Sequence, residues 1–111
     1  MRGRLITTVV AGLMQSGFAL PERPDHVVYR YAVDERVASL TSYRDGRKVG
    51  RHLAYWPGGL PRVSALYRGD ILEREYRSWH ANGVLAELKH YVDGHEDGVQ
   101  QAWTDRGDSS L

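Results

Sequence analysis

The sequence predicts an all-β protein, a single-layer antiparallel meander of β-hairpins built from 24-residue repeats and preceded by a signal-like N-terminal segment. Three observations predict it. At an offset of 24, Tyr43, Tyr67 and Tyr91 share a column, and Tyr31, Tyr55, Trp79 and Trp103 share a second. Gly59, Gly83 and Gly107 form a third column, and the turn signals Asp45-Gly46, Gly69-Asp70 and Asp93-Gly94 recur in a fourth. No window shows sustained helical periodicity. A period in the range of about 20 to 50 residues marks arrays in which each unit buries its apolar face only against its neighbours.

Met1 to Arg4 carries two arginines, Leu5 to Met14 is an apolar run, and Gln15 to Ala19 is small and mildly polar. This is the three-part layout of a secretory signal, with Gly17 and Ala19 at the positions a signal peptidase reads. Residues 1–19 are therefore expected to be a leader cut after Ala19, and 20–26 a linker. The run is shorter than the about 20 residues of a membrane span. An alternative stays open, because the β-branched content of Leu5 to Val10 also suits an edge strand.

The repeat domain is expected over 27–111, with units at 27–50, 51–74 and 75–98 and a half unit from Val99. The offset fails before Val27, where Glu22 and His26 fall on glycine columns. Each unit holds two short β-type runs, such as Arg51 to Trp56 and Arg62 to Tyr67, separated by Pro57-Gly58-Gly59. Alternation places Leu53 with Tyr55, and Val63 with Ala65 and Tyr67, on single sheet faces. Glycine with Asp or Asn at the turns supplies the positive φ that tight hairpins demand. The aromatic columns are expected to stack as ladders and form the core. Val27 to Val33 is expected to be an edge with no preceding partner, and Asp105 to Ser110 a solvated cap.

Composition excludes several function classes. The 111 residues fit one small domain. Fifteen basic against 14 acidic residues give a net charge of +1, and removing 1–19 leaves 13 against 14. Charge therefore supplies no attraction to nucleic acid and no support for an anionic membrane surface. The absence of cysteine rules out disulfides, thiolate metal sites and a cysteine nucleophile.

Together the columns read Tyr-x-x-Gly-x-x-x-Gly-x-x-x-x-aromatic-x-x-x-Gly. Tyr43, Gly46, Gly50, Tyr55 and Gly59 meet the motif, and so do Tyr91, Gly94, Gly98, Trp103 and Gly107. This resembles the MORN repeat (membrane occupation and recognition nexus), in the longer-spaced bacterial variant of the YwqK-type antitoxin-like branch. In the middle copy Tyr67, Trp79 and Gly83 match, while Asp70 and Arg74 replace the two turn glycines and Gly69 is displaced by one residue. In the first unit Glu35 occupies the last glycine column. The resemblance implies a non-enzymatic β-scaffold that contacts proteins or membranes, with no catalytic residues to carry over.

The polar cluster His90, Asp93, His95, Glu96 and Asp97 has the donors of a metal site, but Asp93-Gly94 occupies a turn column, and a solvated turn is the simpler reading. His52, His80 and His90 could serve as bases for Ser64 or Ser78, with Asp70 or Glu87 as orienting acid, yet no spacing selects a combination. His80 departs from its column, which holds Trp56 and Thr104. Arginine outnumbers lysine 13 to 2, and Arg44, Arg47, Lys48 and Arg51, extended by Arg62, Arg68 and Arg74, form either a patch for an acidic partner or a solvated, ion-paired face. Trp56, Tyr76 and Tyr29 lie off the main ladders, and aromatics beside arginines suit interaction hot spots. Trp56, Arg51, Arg44, Arg68 and Tyr76 are thus the binding candidates. The expectation is an exported, non-catalytic module, periplasmic or secreted, that needs no metal or cofactor and binds a protein through a sheet face or edge strand. The alternatives are a cytosolic antitoxin-like protein that neutralises a toxin, and a small hydrolase or metal enzyme around His80 or His90.

Overall fold

The computed structural model describes residues 5–10 and 25–111. Their strands form one antiparallel sheet: β1 (Leu5–Val10), β2 (Asp25–Tyr31), β3 (Val37–Arg44), β4 (Arg47–Tyr55), β5 (Pro61–Arg68), β6 (Ile71–Trp79), β7 (Leu85–Val92), β8 (His95–Glu96) and β9 (Gln101–Ala102). Neighbours in sequence are neighbours in space through β8, and β9 also pairs with β7. The principal extents are 58 × 38 × 14 Å. A second layer would add about 10 Å to the thinnest dimension, so the expected all-β, single-layer meander is what forms.

Each 24-residue unit contributes two strands. β4 and β6 are equivalent strands, and β8 with β9 is the third of that kind, broken where Gly98 adopts φ 79°. The hairpins at Asp45-Gly46, Gly69-Asp70 and Asp93-Gly94 all place both central residues at positive φ, between 50° and 81°. That is the requirement of a two-residue primed turn, so the reversed order Gly69-Asp70 keeps the turn although its glycine is displaced by one residue. The Asp70 carboxylate also accepts the Lys48 backbone N–H at 2.8 Å, tying this turn to the preceding hairpin.

The loops at the other end of the sheet are also regular. Gly59, Gly83 and Gly107 donate backbone bonds to Trp56, His80 and Thr104, closing three-residue loops. In the first unit Glu35 donates to Tyr31 across a loop one residue longer, with Glu35 itself at φ 58°.

Two expectations are corrected. The aromatic columns do not stack as ladders, and the close ring pair among the described residues is His52 with Tyr67, edge to face at 6.3 Å. A period of two strands places equivalent residues about 10 Å apart, beyond the 4.5 to 7 Å (about) of ring contact. Of the two aromatic columns only Tyr31 is among the buried described residues. Among the described residues Ala38, Ala54, Ala65, Thr41 and Tyr31 are buried, and no large side chain is fully enclosed. Nor is β2 an edge without a partner, because Leu5–Val10 pairs along it from Leu5↔Tyr31 to Val10↔His26. β2 itself starts at Asp25. The rest of the leader and linker, 1–4 and 11–24, lies outside the described residues.

A column of carbonyls adds side-chain bonds between units to the backbone pairing of the strands. The Tyr31 hydroxyl donates to the Tyr55 carbonyl (2.8 Å), Trp56 Nε1–H to the Trp79 carbonyl (3.1 Å), and His80 Nε2 to the Trp103 carbonyl (2.7 Å). The three acceptors are the second aromatic column. His80 therefore departs from its column in ring type but keeps the function of Trp56, a ring N–H aimed at the next unit. A carbonyl only accepts, so the His80 proton resides on Nε2.

Candidate functional site

The strand register sorts side chains onto two faces. One carries the row Val28, Leu40, Leu53, Ser64, Arg77 and Leu88. The opposite face carries Tyr29, Ser39, Ala54, Val63, Ser78 and Glu87. On the first face Arg51 of β4 lies opposite Leu66 of β5, and Glu75 of β6 opposite His90 of β7. With Arg74 and Arg77 these residues line a groove of about 480 Å³ that runs across β4 to β7.

A bulge builds this groove. Between Ser64 and Leu66 the β5–β6 register shifts, and Arg74 sits there at φ 61°, in the column where Gly50 (φ 72°) and Gly98 (φ 79°) hold the same conformation. Bulges re-aim side chains and bend the strand. The charges of the groove are partly matched. Arg77 pairs with Glu75 at 2.5 Å, and His90 Nε2 lies 3.9 Å from the same carboxylate group. Among the described residues the Arg51 guanidinium reaches only the Ser64 hydroxyl, at 3.4 Å. Among the described residues neither Arg51 nor Arg74 has a carboxylate within ion-pair range. Two guanidinium groups beside the apolar Leu66 can take carboxylates by forked hydrogen bonds.

The remaining binding candidates are dispersed. Arg44 is exposed at the β3–β4 turn, opposite Arg47. Arg68 is committed to Glu73 (2.8 Å) and Asp93 (2.7 Å). Its hydrogen bond holds the Glu73 carboxyl below the usual carboxylate range, and the same bond raises the guanidinium. Trp56 is half-buried, tied to Trp79, and covered by the Arg62 guanidinium 5.4 Å from its ring. Tyr76 lies on the opposite face, where it pairs with Lys89, and burial ahead of the Glu87 charge pushes its phenol up. A second hollow of about 530 Å³ on that face holds Lys48, Tyr67, Asp70 and Leu72, with Lys48 5.1 Å above the Tyr67 ring.

The residues weighed for chemistry are separated. Thr41 and His52 share a 2.7 Å hydrogen bond, and burial, aided by Lys48 and Arg62, pushes the His52 imidazole below its ordinary range. His80 is committed to Trp103, and Ser78 donates to Glu87 at 3.0 Å. None of these histidines bonds to Ser64 or Ser78 among the described residues. His90, Asp93, His95, Glu96 and Asp97 do not converge, and among the described residues no three such side chains are grouped to hold a metal ion.

The sequence reading named Arg51 as a binding candidate, but took Arg74 only as an extension of the basic patch and a departure from the repeat. The readable signal was Arg74 in a glycine column. Compared with family models, curated proteins and solved structures, the chain matches none.

Proposed function

We propose that this chain is a non-catalytic β-repeat module that binds a partner protein through the sheet face carrying Arg51, Leu66 and Arg74. The observation that supports it is the groove itself, where two arginines without carboxylate partners among the described residues flank an apolar floor. The repeat columns add support for a MORN-type scaffold, whose use is contact, and the leader-like layout of residues 1–19 supports export to the periplasm or exterior. Charge gives no support for a nucleic-acid or membrane partner.

The test is affinity purification from the native host with the wild type, Arg51→Glu and Lys89→Glu, the last on the opposite face. Loss of the captured partner with Arg51→Glu alone is expected. Retention with Arg51→Glu and loss with Lys89→Glu would place binding on the other face and overturn the assignment.

A second reading is a cytosolic antitoxin-like protein. It is favoured by the pairing of Leu5–Val10 along β2, which makes that segment part of the sheet. The intact mass from fractionated cells separates the readings: a chain starting at Leu20 outside the cytoplasm fits export, and one retaining Met1 in the cytosol fits the second.

A further inference from the structure

We propose that the groove takes an acidic, extended segment of the partner protein, and that Arg74 occupies a strained backbone position in order to meet its carboxylates. This deepens, and rests on, the sheet-face reading above.

The first argument comes from the repeat. At Gly50 and Gly98 a Cβ would meet nothing within 4 Å, so their φ of 72° and 79° is what favours glycine there, not lack of space. The middle unit places an arginine at φ 61° in the same position. A long L-residue in the left-handed region is strained; Glu35 accepts that strain within a loop, whereas Arg74 accepts it inside a strand, and residues so strained are concentrated at functional sites. Arg74 is exposed, belongs to no ion pair among the described residues, and lines the groove.

The second argument is charge and spacing. Arg51 on β4 and Arg74 on β6 are two strand spacings apart, about 10 Å. Acidic side chains at i and i+2 of an extended segment project from one face about 7 Å apart, a difference that long arginine side chains close. Leu66 between the arginines and Val92 at the rim offer apolar contact to the segment's backbone side. Glu75 and Asp97 also line the groove. They disfavour a dense polyanion, whereas a peptide with separated carboxylates can avoid them.

The probe is a displayed library of random octapeptides, selected on the immobilised full chain. Recovered peptides are expected to be enriched in Asp and Glu, with pairs at i and i+2. Their affinity should fall about tenfold in Arg51→Gln and in Arg74→Gly, as for loss of one charge-assisted contact. Arg74→Gly should at the same time melt no lower than the wild type, so weaker binding cannot be ascribed to misfolding. Acidic peptides that bind Arg74→Gly unchanged would overturn the proposal. Peptides without acidic enrichment whose binding is lost in Leu66→Glu would overturn the acidic chemistry and leave the sheet-face reading standing, and recovery of none would sink both.

Discussion

Replacing Arg74 by glycine should make the protein more stable. Its φ of 61° lies in the region that costs an L-residue roughly 1 to 2 kcal/mol. Glycine removes that strain but adds about 0.5 to 1 kcal/mol of chain entropy to the unfolded state. The net gain is about 1 kcal/mol, which for a domain of this size raises Tm by about 4 to 8 °C. The ion pairs of the sheet are untouched, because Arg74 takes part in none among the described residues. Thermal unfolding followed by far-UV circular dichroism is the assay, with Arg74→Ala as the control. Alanine removes the charge and keeps the Cβ, so it should give little gain. Gly50→Ala should show the reverse effect, a loss of about 1 kcal/mol, since its added methyl meets no atom within 4 Å and only the backbone is strained. Equal melting of Arg74→Gly and Arg74→Ala would refute the strain argument.

The carbonyl column predicts that Trp56→Phe, which keeps the ring and removes the indole N–H, lowers stability by about 1 kcal/mol in denaturant titration. Trp56→Ala should therefore destabilise the fold and cannot serve as a pure surface probe. The depressed His52 imidazole means that the unfolded chain binds a proton more readily than the folded one. Its contribution to stability is complete above about pH 6.5 and is lost as pH falls through the lower folded value. Melting temperature should thus drop between pH 7 and 5, and His52→Gln should drop less over the same interval. Arg68→Ala should let the Glu73 carboxyl rise toward its ordinary range, read by carboxyl carbon NMR during an acid titration.

Much of the fold is legible in the residues because hairpin turns demand particular backbone angles. Asp45-Gly46 and Asp93-Gly94 mark their turns directly, and the alternation around Ala65 and Tyr67 gives the strands and faces between them. The aromatic ladder misleads for a geometric reason: Tyr43, Tyr67 and Tyr91 align in sequence, but one period crosses two strands. The burial of Ala54 and Ala65 follows from flanking larger side chains in a single layer, which a linear pattern does not display. Leu5–Val10 is ambiguous because a leader's apolar run and an edge strand share a composition. Of the binding candidates, Arg51 was legible as a member of the basic patch but not as an arginine without an ion pair among the described residues, whereas Arg68 found carboxylates on β6 and in the β7–β8 turn. Trp56 carried a signal that could have been read, since His80 in its column offers the same ring N–H. Arg74 was visible as a lost glycine; that its bulge survives the loss, at positive φ, is a tertiary outcome.

The most direct test of the arginine groove is an NMR titration of the arginine Nε–H signals with an acidic octapeptide that alternates Glu and Leu. Arg51 and Arg74 should shift in a saturable way while Arg44 and Arg47, at the β3–β4 turn, stay in place. Shifts that are largest at Arg44 and Arg47, or equal across all arginines, would show that acidic segments meet the sheet by charge alone and that the groove is not their site.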